Sequence, residues 1–314
     1  MPEPKLSVIL ATDTYQTIRP VIDRLRRQTA KDRIEVILVA PSADAVKAVL
    51  AHRDEFARIR IVEDPVEDLA PARASGIRAA TAKFVFVGET HSFPHPTFAE
   101  VLLRHESGPW SVLIPAFGNA NPKGALSWAG FISDYGGWLE GMPAGEVSRI
   151  PIYNAAFLRD ALLALGDRLP SALSHSDELP LSLHAAGHRA YFEPAARLDH
   201  VNVATLGHWI KERFAAGILI ASARSHRWPL SRRAFYALAS PLIPAVLCWR
   251  ILPGCWTRIR QGGLPLSTIL WIAFGMGVKA AGELAGYLGA SLAGWHSQMH
   301  EYEVHKLAYA GRGA

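Results

Sequence analysis

Glu89 and His91 stand two positions apart in Phe84-Val-Phe-Val-Gly-Glu-Thr-His91. In an extended chain, side chains at i and i+2 leave the same side. A carboxylate and an imidazole on one side at a strand end can share a divalent cation, which would neutralise a diphosphate. The plainer alternative is two polar residues closing a strand. Asp177 and Glu178 form an acidic pair at a predicted helix start. Either carboxylate could take a proton from an acceptor hydroxyl. Equally, the pair could be a favourable charge at a helix N-terminus, with Ser174, Ser176 or Asp177 as the cap. Arg73, Lys211 and Arg213 are candidates for phosphate oxygens. His200, taken alone, reads as a structural or solvent-facing histidine.

These groups need a scaffold, and the first third of the chain provides a regular one. Leu6–Ala11 and Ile34–Val39 are apolar runs broken only by Ser7 and Glu35, as in parallel strands covered on both faces. Arg58–Val62 and Lys83–Val87 read as the third and fourth strands. Helices are predicted between them at 17–29, from Ser42 to about Ala51, and at 71–82, the first from Ile18, Val21, Ile22 and Leu25 at helical spacing. Strand alternating with helix marks a doubly wound α/β sheet, whose ligands bind beyond the carboxyl ends of the strands. That rule singles out Thr12, Asp13, Ala40 to Ser42 and Gly88 to Ser92. No Gly-x-Gly-x-x-Gly follows the first strand, which argues against a dinucleotide-binding oxidoreductase. From Gly108 to about Asn154 the periodicity is weak, as in loops and short strands forming an acceptor surface. Helices are expected at 155–165 and 177–187, and a short strand at 190–192.

The last third changes character. A helix with one polar and one apolar face is predicted at 205–224. Ala234–Trp249 and Leu264–Val278 then run without a charge, and small residues continue to Gly294. Each run is shorter than the roughly 20 residues of a spanning helix, and Pro241, Pro244 and Pro253 interrupt the first. Arg224, His226, Arg227, Arg232 and Arg233 precede it, and Arg258 and Arg260 follow it, a pattern suited to anionic headgroups. The expectation is membrane attachment, either as a spanning hairpin or as an interfacial pair. Arg258 and Arg260 in the connection argue against export, and Glu283 would need a partner in lipid. A buried soluble helical pair or an oligomer interface is the alternative. The 314 residues carry a formal charge of +5 without basic–aromatic alternation, so nucleic acid is not the expected partner. Cys248 and Cys255 are too few for a disulfide framework. Met1–Lys5 lead directly into a strand rather than a secretory leader, so a cytoplasmic N-terminal domain is expected.

Four segments together resemble the inverting family 2 glycosyltransferases of the GT-A fold, over roughly residues 5–202. They are Leu6-Ser-Val-Ile-Leu-Ala-Thr-Asp13, Pro71-Ala-Arg-Ala-Ser-Gly-Ile77, Phe84 to Pro94, and His184 to His200. The resemblance implies that Glu89 and His91 stand where that family carries the two aspartates that handle metal and nucleotide diphosphate. It implies a further metal ligand at His200, a base at Asp177 or Glu178 (reached by a shift of one or two residues from His175-Ser176), and base recognition by Asp13. Asn154 and Arg159, in Pro151-Ile-Tyr-Asn-Ala-Ala-Phe-Leu-Arg159, resemble a segment near the acceptor side. Two departures stand out: Ala40-Pro41-Ser42 replaces the aspartates usual after the second strand, and Glu-Thr-His replaces Asp-x-Asp.

The resulting expectation is a GT-A-like doubly wound mixed α/β sheet at 1–204, an amphipathic linker helix at 205–232, and an apolar helical membrane-associated region at 233–314. The implied function is a hexosyltransferase-like, inverting enzyme on the cytoplasmic face of the inner (plasma) membrane. It would move a sugar from a nucleotide-diphosphate sugar to a lipid-linked or glycan acceptor in cell-envelope glycan or glycolipid biosynthesis, with Mn²⁺ or Mg²⁺. The expected donor-binding residues are Thr12, Asp13, Arg73, Glu89 and Arg213; the metal ligands are Glu89, His91 and His200. The C-terminal helices offer a surface for a homo-oligomer. The second reading is a GT-A-like scaffold that has lost catalysis and serves as a binding subunit of a membrane complex.

Overall fold

A computed structural model of the chain describes residues 3–174, 177–246, 248, 249, 256 and 263–311. His175, Ser176, Arg250, Pro253, Cys255, Arg258 and Arg260 lie outside the described residues. The chain forms two compact units, residues 1–118 with 138–200, and residues 119–137 with 201–314.

In the first unit, β1 (Leu6–Ala11) and β2 (Ile34–Ala40) are buried at every position, and their two polar residues pair, Ser7 Oγ donating to Glu35 Oε2 at 2.6 Å. With β3 (Arg58–Glu63) and β4 (Phe84–Val87) they form the parallel half of a mixed sheet ordered β3-β2-β1-β4-β8-β6-β9-β5. The other half comprises β5 (Ser92–Pro94), β6 (Val112–Asn119), β8 (Ala156–Leu158) and β9 (Ala190–His200), with β7 (Gly145–Val147) alongside β9. Antiparallel pairing enters where β8 joins β4 and where β5 joins β9.

The first three helices begin where side chains satisfy free backbone N–H groups. Thr14 accepts from the Thr17 amide ahead of α1 (Tyr15–Leu25), Ser42 from Ala45 ahead of α2 (Ala43–Val46), and Asp68 from Ala70 ahead of α3 (Leu69–Ala79). The helix expected up to Ala51 is therefore only one turn, followed by a 3₁₀ stretch from Lys47 to Glu55. Three other expectations need correction. Residues 108–154 were expected to hold loops and short strands; β7 is such a strand, but β6, buried over its first six residues, is eight residues long and α5 (Ala125–Tyr135) is a helix of three turns, while α4 spans Phe98–Leu103. The helix expected at 155–165 is β8 followed by the short α6 (Arg159–Leu163). The strand expected at 190–192 runs eleven residues to His200. Two short helices complete this unit, α7 (Leu169–Ala172) and α8 (Glu178–Ala185).

The second unit is helical, with α5, α9 (Leu206–Ser225), α10 (Leu230–Ala239), α11 (Thr268–Tyr287) and α12 (Ala293–Val304). Its principal packing is α9 on α11, at backbone contact. A Cβ on Gly282 would run into the Phe214 carbonyl oxygen, and one on Gly217 into the Lys279 carbonyl oxygen. The small residues of α11 thus meet α9 directly, as small-residue helix faces permit. Backbone cannot yield as a flexible side chain does. Gly282→Ala is expected to lower stability by about 1–3 kcal/mol, measurable by urea unfolding.

Candidate metal and donor site

The register of the parallel strands sets the site. Pairing of Ile9 with Val87 and of Ile9 with Ile37 brings the ends of β1, β2 and β4 to one edge. Thr12 and Asp13 follow β1 there, and Gly88 to His91 follow β4. Gly88 packs tightly here: a Cβ would lie 2.8 Å from Leu10 Cδ2, so a larger residue would have to displace that side chain. His200 arrives from the far end of the sequence because β9 pairs antiparallel with β5, with His200 opposite Ser92.

Three ligand-type atoms converge. His91 Nε2 and His200 Nε2 are 3.1 Å apart, and lie 3.4 and 3.5 Å from Glu89 Oε2. Glu89, His91 and His200 are 0–5% exposed. A cation bound at about 2.0–2.2 Å by imidazole nitrogen and carboxylate oxygen needs donors roughly 3–3.5 Å apart. The three separations match that requirement, and among the described residues this is the group of His, Cys, Asp and Glu able to hold a metal ion. Two imidazoles and one carboxylate form a donor set suited to first-row transition metals, whereas Mg²⁺ prefers all-oxygen surroundings.

Supporting residues fix the carboxylate. Asn154 Nδ2 donates to Glu89 Oε2 at 2.5 Å and Ser92 Oγ donates to it at 3.0 Å. Asn154 holds φ at +58°, the left-handed region that asparagine enters more readily than most side chains. Its amide N–H donates to the Val87 carbonyl at 2.7 Å, which anchors it beside the β4 end. Asn154 therefore belongs beside Glu89, a contact its sequence neighbourhood did not signal.

Arg73 projects from α3 and is buried, with its guanidinium 3.8 Å over the Tyr153 ring. Its Nε has no hydrogen-bond partner among the described residues. Tyr153 precedes Asn154, so the Arg73 side chain and the Glu89 cluster are joined through adjacent residues. Thr12 is buried and its Oγ1 donates to the Thr14 carbonyl; Asp13 Oδ1 accepts from the Thr14 amide at 2.7 Å.

The remaining candidates are carried by other elements. Asp177 immediately precedes α8 but does not cap it through its side chain. Glu178 accepts from Ser171 Oγ at 3.0 Å and lies 3.8 Å from Arg168. Arg159 opens α6 and lies 3.4 Å from Asp160. Arg213 belongs to the second unit, where its guanidinium forms a two-pronged pair with Asp134 at 2.8 and 2.7 Å. That pairing engages the donor face the sequence assigned to phosphate.

Residues 7–140 match the family model described as Glycosyl transferase family 2. Over 112 residues the chain is 32% identical to "Putative glycosyltransferase EpsH" of Bacillus subtilis (strain 168). That match covers 33% of this chain and 31% of the relative, so the chain spans about a third of the curated relative's length. Among solved structures, the chain resembles the mannosyltransferase PcManGT from Pyrobaculum calidifontis, with 16% identity, a TM-score of 0.55, and coverage of 91% of this chain and 88% of the other. It also resembles S. aureus TarS 1-349, with 16% identity, a TM-score of 0.46, and coverage of 70% and 65%. The mixed sheet resembles that of GT-A glycosyltransferases, and C-terminal helices follow it.

Proposed function

From a chain that carries a glycosyl transferase family 2 domain, we propose an inverting glycosyltransferase that moves a sugar from a nucleotide-diphosphate donor, assisted by a divalent cation, to a lipid-linked or glycan acceptor. The observation that carries this reading is the convergence of Glu89 Oε2, His91 Nε2 and His200 Nε2 at the carboxyl edge of the parallel strands. Ligands of such sheets bind at that edge. The PcManGT neighbour was solved in complex with GDP-Man and Mn²⁺, the same classes of ligand.

A cation held by these three residues would supply positive charge to the departing diphosphate. Arg73 gives the diphosphate a fixed guanidinium, buried and with an unengaged Nε. Asn154 and Ser92 keep the Glu89 carboxylate in place. Thr12 and Asp13 stand at the neighbouring strand end, the side on which the nucleoside would bind. Asp177 or Glu178 takes the acceptor proton as the hydroxyl attacks, and a single displacement inverts the anomeric centre. The enzyme works on the cytoplasmic face of the plasma membrane, attached through residues 233–314 and serving envelope glycan or glycolipid synthesis.

A panel of nucleotide diphosphates and their sugars with Mn²⁺, read by thermal shift, tests the donor class. At least one is expected to stabilise the protein, and no response to any of them would sink the reading. Arg73→Ala is expected to weaken nucleotide diphosphate binding by about 10–100-fold, the worth of a hydrogen bond to a charged group, and to leave Mn²⁺ binding alone.

A further inference from the structure

Among the described residues, the helical unit carries a group of exposed large apolar side chains. Leu230, Leu238, Leu242, Trp249, Leu266 and Leu270, on α10, the segment after it and the start of α11, are each 64–83% exposed. The stripe continues along α11 through Phe274, Gly277, Ala281 and Leu288, at helical spacing and without a charge. Soluble monomers rarely leave so many large apolar side chains together in water.

Basic residues border this surface. Arg227 and Arg232 are exposed, and the Arg232 guanidinium lies 4.1 Å over the Trp228 ring. Arginine and tryptophan side by side suit the headgroup level of a bilayer, where each keeps an apolar body and a polar tip. Charge and apolarity together select an anionic lipid surface over a neutral protein groove.

Orientation follows from what α11 is packed against. Its 20 residues are long and apolar enough to cross a membrane. Its opposite face, however, is in backbone contact with α9 through Gly217 and Gly282. It also carries the buried Glu283, 3.9 Å from Arg224 of α9. α9 brings Lys211, Glu212 and Arg213 with it. A crossing α11 would take these charges into hydrocarbon at a cost of several kcal/mol. An α11 lying in the plane presents Leu270, Phe274 and Leu288 to acyl chains and keeps α9 in water.

We propose that this face of the helical unit is an in-plane, monotopic docking surface for a bilayer rich in anionic lipids, in which α11 lies in the interface and does not span. This rests on the membrane attachment proposed above and decides its form. Full-length protein is mixed with vesicles of phosphatidylcholine alone or with added phosphatidylglycerol, and binding is measured by co-sedimentation. Binding is expected to be tighter on the anionic vesicles by about fivefold for each arginine engaged. Arg227→Gln with Arg232→Gln is expected to remove that preference, and Leu238→Glu with Leu242→Glu to remove binding to both vesicles. Unchanged binding in the leucine pair would overturn the proposal. So would a dimer formed without lipid and abolished by the same pair, which would assign the face to a second copy.

For orientation, Ser267→Cys and Ser291→Cys are placed singly in a chain with Cys248→Ser and Cys255→Ser. Each is labelled with an impermeant maleimide in right-side-out and inside-out vesicles from expressing cells. In-plane docking predicts that both label from the cytoplasmic side only; labelling from opposite sides would show a spanning helix and overturn it. The nucleotide and Mn²⁺ thermal shift, run on every variant, reports the fold and the donor site separately.

Discussion

His200→Ala is expected to lower Mn²⁺ affinity at least as far as the roughly 10–100-fold that loss of an outer-shell partner costs a metal site. His91→Ala should do the same, because each removes one of three atoms held 3.1–3.5 Å apart. The effect is read by calorimetry or by the Mn²⁺ resonance signal, without reference to turnover. His91→Asp sharpens the test. It replaces a nitrogen donor with an oxygen donor and is expected to shift preference from Mn²⁺ toward Mg²⁺. Equal Mn²⁺ affinity in wild type and both alanine variants would show that the three side chains are a buried polar cluster and nothing more. Asn154→Ala distinguishes orientation from ligation. It leaves all three donors present and removes one of the two hydrogen bonds that orient Glu89 Oε2, so its loss should be smaller than that of either histidine.

The sequence was most informative where local pattern and burial agree. β1 and β2 are legible because six and seven consecutive residues are buried on both faces. Glu89 and His91 were legible as a pair because the strand before them fixes their common direction. His200 was harder. It ends a strand with Pro194 inside it, and only the pairing of β9 with β5 brings it to Ser92. β6 was hidden by Pro115, Gly118 and Asn119, residues that punctuate chains more often than they fill strands. Asn154 acts on Glu89 across 65 positions from a left-handed backbone conformation, and neither fact has a local signature. In the helical unit, the small residues of α11 announced close contact but not its partner. Gly217 and Phe214 on α9 supply that partner, and a lone glycine in a helical stretch otherwise reads as a weak point.

Arg213 carries the second large prediction, one of stability. Arg213→Met is expected to destabilise the helical unit by about 3–5 kcal/mol, the range for breaking a buried charge pair. The reason lies in what stays behind. Glu212 is buried and loses a partner at 3.1 Å, keeping Lys306 at 3.7 Å, which also serves Glu303 at 3.3 Å. Asp134 is partly solvated, with 42% of its side chain exposed, so Asp134→Asn should cost less. Burial alone would raise the Asp134 carboxyl, but the attraction and hydrogen bonds of Arg213 outweigh it and hold it below the ordinary value. A depressed folded-state value stabilises at pH above the unfolded carboxylate value of about 3.9. That contribution is lost as pH falls through the folded value. Wild-type stability should therefore decline below about pH 4, with a shallower acid dependence in Arg213→Met. Urea unfolding across pH measures both. Donor affinity is the discriminating control. If Arg213→Met keeps its stability but loses nucleotide binding, the guanidinium is a phosphate ligand after all; loss of stability with donor affinity intact assigns it to the helical core, where Asp134 and Glu212 hold it.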